Sequence, residues 1–125
     1  MEIFGFRNLI AYQKAKELVK RTYILVHRFP SEEKYALGDQ LRRASVSITS
    51  NIAEGVNRYS AKEKVYFLEV AYGSLMEVAS QLEIAEELNY ITRQDRENAD
   101  LLIEEVARLI SGLRSSYKAK CETQP

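Results

Sequence analysis

Apolar and small residues recur at alternating three- and four-residue spacings in four successive segments that together cover nearly the whole chain. Such spacing lays one buried stripe along one side of a helix, and a chain with four stripes hides them best against one another. The first stripe is Tyr12, Ala15, Val19, Thr22, Val26 and Phe29, widened by Ala11, Leu18 and Leu25. Pro30 disfavours helical geometry in the residue before it and sets the end.

Ser31 is the candidate N-cap of the second helix, with Glu32 and Glu33 where the helix dipole favours acids. Its stripe is Leu37, Leu41, Ala44, Ile48 and Ile52. It runs out around Gly55 to Asn57, where Gly55 either takes a left-handed cap or stays helical at a close contact. Ser60-Ala61-Lys62-Glu63 has the form of a capping box and opens a third helix, with stripe Leu68, Ala71, Leu75, Val78, Leu82 and Ala85 and with Asn89 as a left-handed cap. Thr92-Arg93-Gln94-Asp95 opens the fourth in a similar way, with stripe Ala99, Leu102, Val106, Leu109, Leu113 and Tyr117.

These signals predict helices over residues 8–29, 34–57, 61–88 and 93–119. The connections are short, so consecutive helices are antiparallel neighbours. The expected fold is an all-α, up-down-up-down four-helix bundle, one domain over 1–119 with a flexible tail at 120–125. Five glycines and two prolines are too few for the turns of an all-β chain.

The chemistry of an enzyme is hard to place on this pattern. A carboxylate-bridged dimetal centre needs Glu-x-x-His on two helices, but the chain has one histidine and the residue three before it is Ile24. His27 reads as a cation at a helix C-terminus. Cys121, the single cysteine, reads as a spectator thiol. With no phosphate-cradling glycine loop and too few zinc ligands, no cofactor, metal or small-molecule substrate is expected. The N-terminus has no signal-peptide pattern and no apolar run spans a bilayer, so a cytoplasmic protein without membrane contact is expected.

Charge is zero overall but unevenly spread, with 12 basic against 7 acidic residues in 1–64, 2 against 10 in 65–107 and 4 against 1 in 108–125. Such asymmetry serves either a phosphate backbone or complementary faces of helices and subunits. Most of the eight tyrosines read as structural, while Tyr59 and Tyr66, near Arg58, Lys62 and Lys64, are the surface candidates.

The most informative stretch runs from Leu41 to Arg58 and is crowded with serine, threonine, asparagine and glycine, which are indifferent to poor helix formers. On a helical wheel Arg43, Ser47, Asn51, Glu54 and Arg58 share a sector of about 80°, opposite Leu41, Ile48 and Ile52. Their local alternative is an ion pair between Glu54 and Arg58, four residues apart. Ala71-Tyr72-Gly73-Ser74 adds a second small surface, and a mid-helix glycine costs about 1 kcal/mol relative to alanine. Gly55, Gly73 and Ser74 are therefore expected at close helix packing.

Leu41-Arg42-Arg43-Ala44 and Ser50-Asn51-Ile52-Ala53-Glu54-Gly55, followed by Phe67-Leu68 and Ala71-Tyr72-Gly73-Ser74-Leu75, resemble the signature of the 23S rRNA intervening-sequence proteins, also labelled S23 ribosomal proteins. Phe6-Arg7-Asn8-Leu9 and Ala11-Tyr12-Gln13-Lys14-Ala15 are similar to that family's opening, and the likeness spans residues 4–110. The resemblance implies a four-helix protomer in a ring-like homopentamer, a family first noticed as reading frames within insertions in 23S rRNA genes. A related branch, the accessory proteins of diversity-generating retroelements, is similar in fold and implicated in nucleic-acid binding.

Three functions follow. The first is an oligomeric, non-enzymatic binding or scaffold protein for RNA, with contacts drawn from Arg42, Arg43, Ser47, Asn51, Glu54, Arg58, Lys62 and Lys64. The second is a structural oligomer or adaptor for another protein, in which the arginines of that set form salt bridges between subunits and no nucleic acid is bound. The third is an enzyme using Glu54 with Arg43 or Arg58.

Overall fold

The computed structural model describes residues 3–123. The chain enters through a single 3-10 turn, Gly5–Asn8, and not through the helix expected from residue 8. Leu9, in extended backbone geometry, separates this turn from α1 (Ile10–His27). Gln13 reaches back across the gap, its Nε2 donating to the Arg7 carbonyl at 3.2 Å. His27 lies in the last turn of α1, the position expected for it.

The second helix is not continuous over 34–57. It is divided into a one-turn α2 (Ser31–Lys34) and α3 (Leu37–Val56), separated by Tyr35 and Ala36. Ser31 is the first residue of α2 and caps nothing, since the N-cap position belongs to Pro30. The break lets α3 come close to α1 at Gly38, where a Cβ would lie 2.8 Å from Val26 Cγ1 and 3.1 Å from the Glu33 carbonyl oxygen. Arg42 closes it by donating from Nη2 to the Lys34 carbonyl at 2.6 Å while pairing with Asp39.

Ser60 opens α4 (Ala61–Glu87) by accepting the Glu63 N–H at 3.1 Å. The reciprocal half of the box is absent, because the Glu63 carboxylate lies beside Arg58 at 3.8 Å. The far end closes as expected on Asn89 at φ 63°, with the Asn89 N–H on the Glu86 carbonyl and the Tyr90 N–H on the Ala85 carbonyl, the two bonds of a Schellman turn. Both halves of the next cap form: Asp95 N–H donates to Thr92 Oγ1 and Thr92 N–H to Asp95 Oδ2, each at 3.0 Å. They start α5 (Arg93–Thr123), which continues four residues past the expected end at 119. Residues 120–123 are thus helical rather than a tail and Cys121 lies on the helix, whereas 124–125 fall outside the described residues.

Cross-links between helices fix their directions. Ser47 meets Ser74 while Gly55 meets Phe67, so α3 and α4 are antiparallel. Arg96 pairs with Glu86 and Arg114 with Glu69, so α4 and α5 are antiparallel. Lys14 pairs with Glu105 and Arg28 with Asp95, and the same holds for α1 and α5. Each long helix packs on two neighbours, α1 and α4 each on α3 and α5, which puts α1 and α4 at opposite corners of a four-helix bundle, running in the same direction.

The stripe expected on α4 is buried at all six positions. On α1 the seam is centred on Ala15, Leu18, Thr22 and Leu25, and Val19 is only half-buried. On α5 it is rotated by one residue: Ala99, Ile103, Val106 and Ile110 are buried, while Leu102, Leu109, Leu113 and Tyr117 flank them. No helix of the described residues is long and apolar enough to cross a membrane.

Candidate interaction surface

The small polar residues of α3 are used mostly inside the molecule. Ser47 Oγ lies 2.9 Å from Ser74 Oγ, and Asn51 Nδ2 donates to the Ser47 carbonyl and hydroxyl at 2.8 and 3.0 Å. These bonds satisfy polar groups at the α3–α4 seam and hold the helices near each other. At the end of that seam Gly55 stays helical, and a Cβ there would be 2.8 Å from Phe67 Cβ. Of the three residues expected at close packing, Gly55 and Ser74 are there. Gly73 is not: it is exposed, with nothing within 4 Å of an added Cβ. Its helix simply turns that position outward.

The basic candidates divide in the same way. Arg42 is tied to the α2–α3 break. Arg58 pairs with Glu54 and lies over the Phe67 ring, 4.6 Å from its centroid. Lys64 Nζ donates to the Val56 carbonyl at 2.7 Å, occupying one of the free carbonyls at the end of α3. Burial holds the Lys64 pKa below the usual lysine value, with the Lys120 charge adding to the effect. Arg43 and Lys62 are exposed and make no ion pair among the described residues. Glu54, the candidate carboxylate of the enzyme reading, sits in its ion pair on an exposed helix surface.

A shallow groove of about 470 Å³ runs along α1 and α3 between Tyr23, the Asp39–Arg42 pair, Arg43, Val46, Ser47 and Ser50. On the far side of the molecule the outward face of α4 carries Tyr66, Met76 and Ile84, all exposed. Tyr72, Ser111 and Arg114 surround an open hollow of about 420 Å³ at Gly73. The periodicity of the buried stripe does not reveal this outer row. Its signal in the sequence is the set of apolar residues left over once the core positions of α4 are assigned. The helix is apolar on more than one side, a composition typical of helices covered all round.

Residues 7–112 match the family model described as 23S rRNA-intervening sequence protein. Among solved structures, a protein of unknown function from the S23 ribosomal protein family of Bacteroides thetaiotaomicron is similar in fold, with a TM-score of 0.78 at 23% sequence identity over 84% of this chain and 98% of that one. No curated protein matches the chain.

Proposed function

This chain belongs to the 23S rRNA-intervening sequence protein family, and from that premise we propose that it works as a non-enzymatic, self-associating scaffold. The observation that carries this reading is the outward row of Tyr66, Met76 and Ile84 on a helix whose opposite side is fully occupied by the core. Large apolar side chains grouped on one outer helix face mark contact surfaces where singly scattered ones do not, and Tyr72, also exposed, adds to the group beside Met76. The homopentamer implied by the family resemblance is the expected assembly. The ion-paired, exposed Glu54 and the exposed His27 favour a binding role over catalysis.

Light scattering at micromolar concentration tests the reading. The expected result is a mass several times the 14.4 kDa of the chain, reduced by Met76→Glu; a wild-type mass of 14.4 kDa rejects it.

RNA association is a second reading, favoured by the α1–α3 groove, where Arg43, without an ion pair among the described residues, stands beside Tyr23, Ser47 and Ser50. Titration with a labelled 23S rRNA fragment at two salt concentrations tests it. Arg43→Ala is expected to lower the slope of log affinity against log salt by about 0.7 for a single-stranded target, the share of one phosphate contact. Absence of binding at low salt removes this reading and leaves the scaffold.

A further inference from the structure

Resting on that scaffold reading, whose ring already requires unlike faces to meet, we infer which faces those are: the outward face of α1 on one copy docks on the outward face of α4 on the next. The two helices stand at opposite corners of the bundle, so their outer faces point apart. Each is incomplete in a complementary way.

On α1, Ile10 and Ile24 are 60% and 55% exposed. They lie about four helical turns apart and therefore on one side of the helix. Lys20 and Arg21 stand between them, exposed and without an ion pair among the described residues. Lys16 adds a third exposed cation, set against Glu17 alone among the acids of α1. On α4, Tyr66, Met76 and Ile84 are 62%, 41% and 42% exposed. Glu77, Glu83 and Glu87 lie along the same side, exposed and likewise without an ion pair among the described residues. The hollow at Gly73 opens within this row, walled by the Tyr72 ring on one side and the Glu69–Arg114 ion pair on the other, and has the volume for an aliphatic side chain such as Ile24 lying along Tyr72.

Charge decides which faces meet. Pairing α1 with α1 sets Lys20 and Arg21 against their own kind, and pairing α4 with α4 does the same for the glutamates, each at a cost in affinity. Pairing α1 with α4 joins opposite charges around two apolar rows. Among the described residues the intramolecular ion pairs bridge α1 to α5 and α4 to α5 and none joins α1 to α4, so the surplus on each corner stays outward. Because α1 and α4 run in the same direction, rotation about an axis along the bundle brings them side by side in parallel. A contact of this kind uses one face of each copy and leaves the other open, so it either closes into a ring or extends as a filament.

The test mixes two variants, Ile24→Glu with its α1 face blocked and Met76→Glu with its α4 face blocked. Circular dichroism establishes that each keeps the helical content of the wild type. Each alone is expected to fall to 14.4 kDa, and an equimolar mixture to form a capped dimer of twice that mass, because each variant supplies the face the other lacks. A second arm uses charge: Lys20→Glu with Arg21→Glu disrupts assembly, and adding Glu77→Lys with Glu83→Lys in the same chain restores it. An assembled wild type whose variants form no mixed dimer and whose charge reversal restores nothing overturns the heterologous contact and leaves self-association standing. A wild type that is itself 14.4 kDa overturns both.

Discussion

Changing glycine to alanine is expected to have opposite signs at Gly55 and Gly73, and the difference measures how tightly α3 and α4 are joined. Alanine gains up to about 1 kcal/mol over glycine inside a helix. At Gly73 the added methyl meets nothing within 4 Å, so the gain is realised and Gly73→Ala stabilises by about 0.5–1 kcal/mol. At Gly55 the methyl would lie 2.8 Å from Phe67 Cβ. That atom is bonded directly to the α4 backbone and cannot swing away, so the helices must separate. Overpacking of this kind costs about 1–3 kcal/mol, against a propensity gain that is small because Gly55 lies in the last turn of α3. A net loss of about 1–2 kcal/mol follows, and the two variants should differ by about 2 kcal/mol. With a urea dependence of about 2 kcal/mol per M, the unfolding midpoints separate by about 1 M. Both are best measured on a Met76→Glu background at one protein concentration, so that association does not enter the comparison. A midpoint for Gly55→Ala at or above that of its parent would refute the argument that Gly55 is there for close approach.

Three further outcomes are expected. Ser47→Ala and Ser74→Ala should each destabilise by about 1 kcal/mol, and the double variant by less than their sum, because removing both hydroxyls leaves neither unpaired; strict additivity in a urea-denaturation cycle would contradict the pairing. The Asp95 pKa is lowered, chiefly by the Thr92 backbone N–H and further by the Thr92 hydroxyl and Arg28, so its stabilisation is complete above 3.8 and lost as pH falls through the lower folded value. Asp95→Asn should therefore cost about 1 kcal/mol at neutral pH and progressively less in acid, as followed by thermal unfolding between about pH 2 and 7. The Lys64 pKa is lowered in the fold, so the native state gives up that proton first and stability rises with pH up to and through 10.5; Lys64→Met, compared by urea unfolding at neutral and alkaline pH, should lose that rise along with about 1 kcal/mol from the Val56 carbonyl.

The parts legible in the sequence are those set within a single helix. The α4 stripe, the Thr92–Asp95 cap and the Asn89 turn each depend on residues a few positions apart, and each forms. The α5 seam lies one residue away from the stripe expected at Leu102 and Leu109 because Leu101-Leu102-Ile103 and Leu109-Ile110 offer adjacent apolar residues, and only the packing of α1 and α4 selects Ile103 and Ile110. The break before α3 has no proline to announce it; Gly38 is its one trace, and the approach to Val26 that requires glycine is a tertiary fact. Arg42, Arg58 and Lys64 looked like ligands for phosphate because their partners, the Lys34 and Val56 carbonyls and the Phe67 ring, come together only in the folded chain. Gly55 and Gly73 show the same limit in one pair, since local sequence marks both as small and cannot say which faces a neighbour.

A formal net charge of zero looks at first like evidence against an electrostatic interface. It is instead a cancellation between opposite corners of the bundle. Lys16, Lys20 and Arg21 stand on α1, and Glu77, Glu83 and Glu87 on α4, with two packed helices between them. At the width of two helices, roughly 20 Å, charges on the two surfaces lie beyond the screening length of physiological salt, about 8 Å, and do little to neutralise each other. Each corner therefore presents its own sign to whatever approaches it. If the two corners attract one another between copies, assembly should weaken as salt is raised, while the apolar rows hold it together at salt concentrations where a purely ionic contact would fail. Light scattering across a salt series separates the contributions: Lys20→Glu with Arg21→Glu sets like charges against each other, so its weakened assembly should grow with added salt, whereas replacing Met76 and Ile84 by alanine should weaken assembly and leave the wild-type dependence in place. A wild-type mass that rises with added salt would mean the surface charges oppose association, and the pairing of these two corners would be wrong.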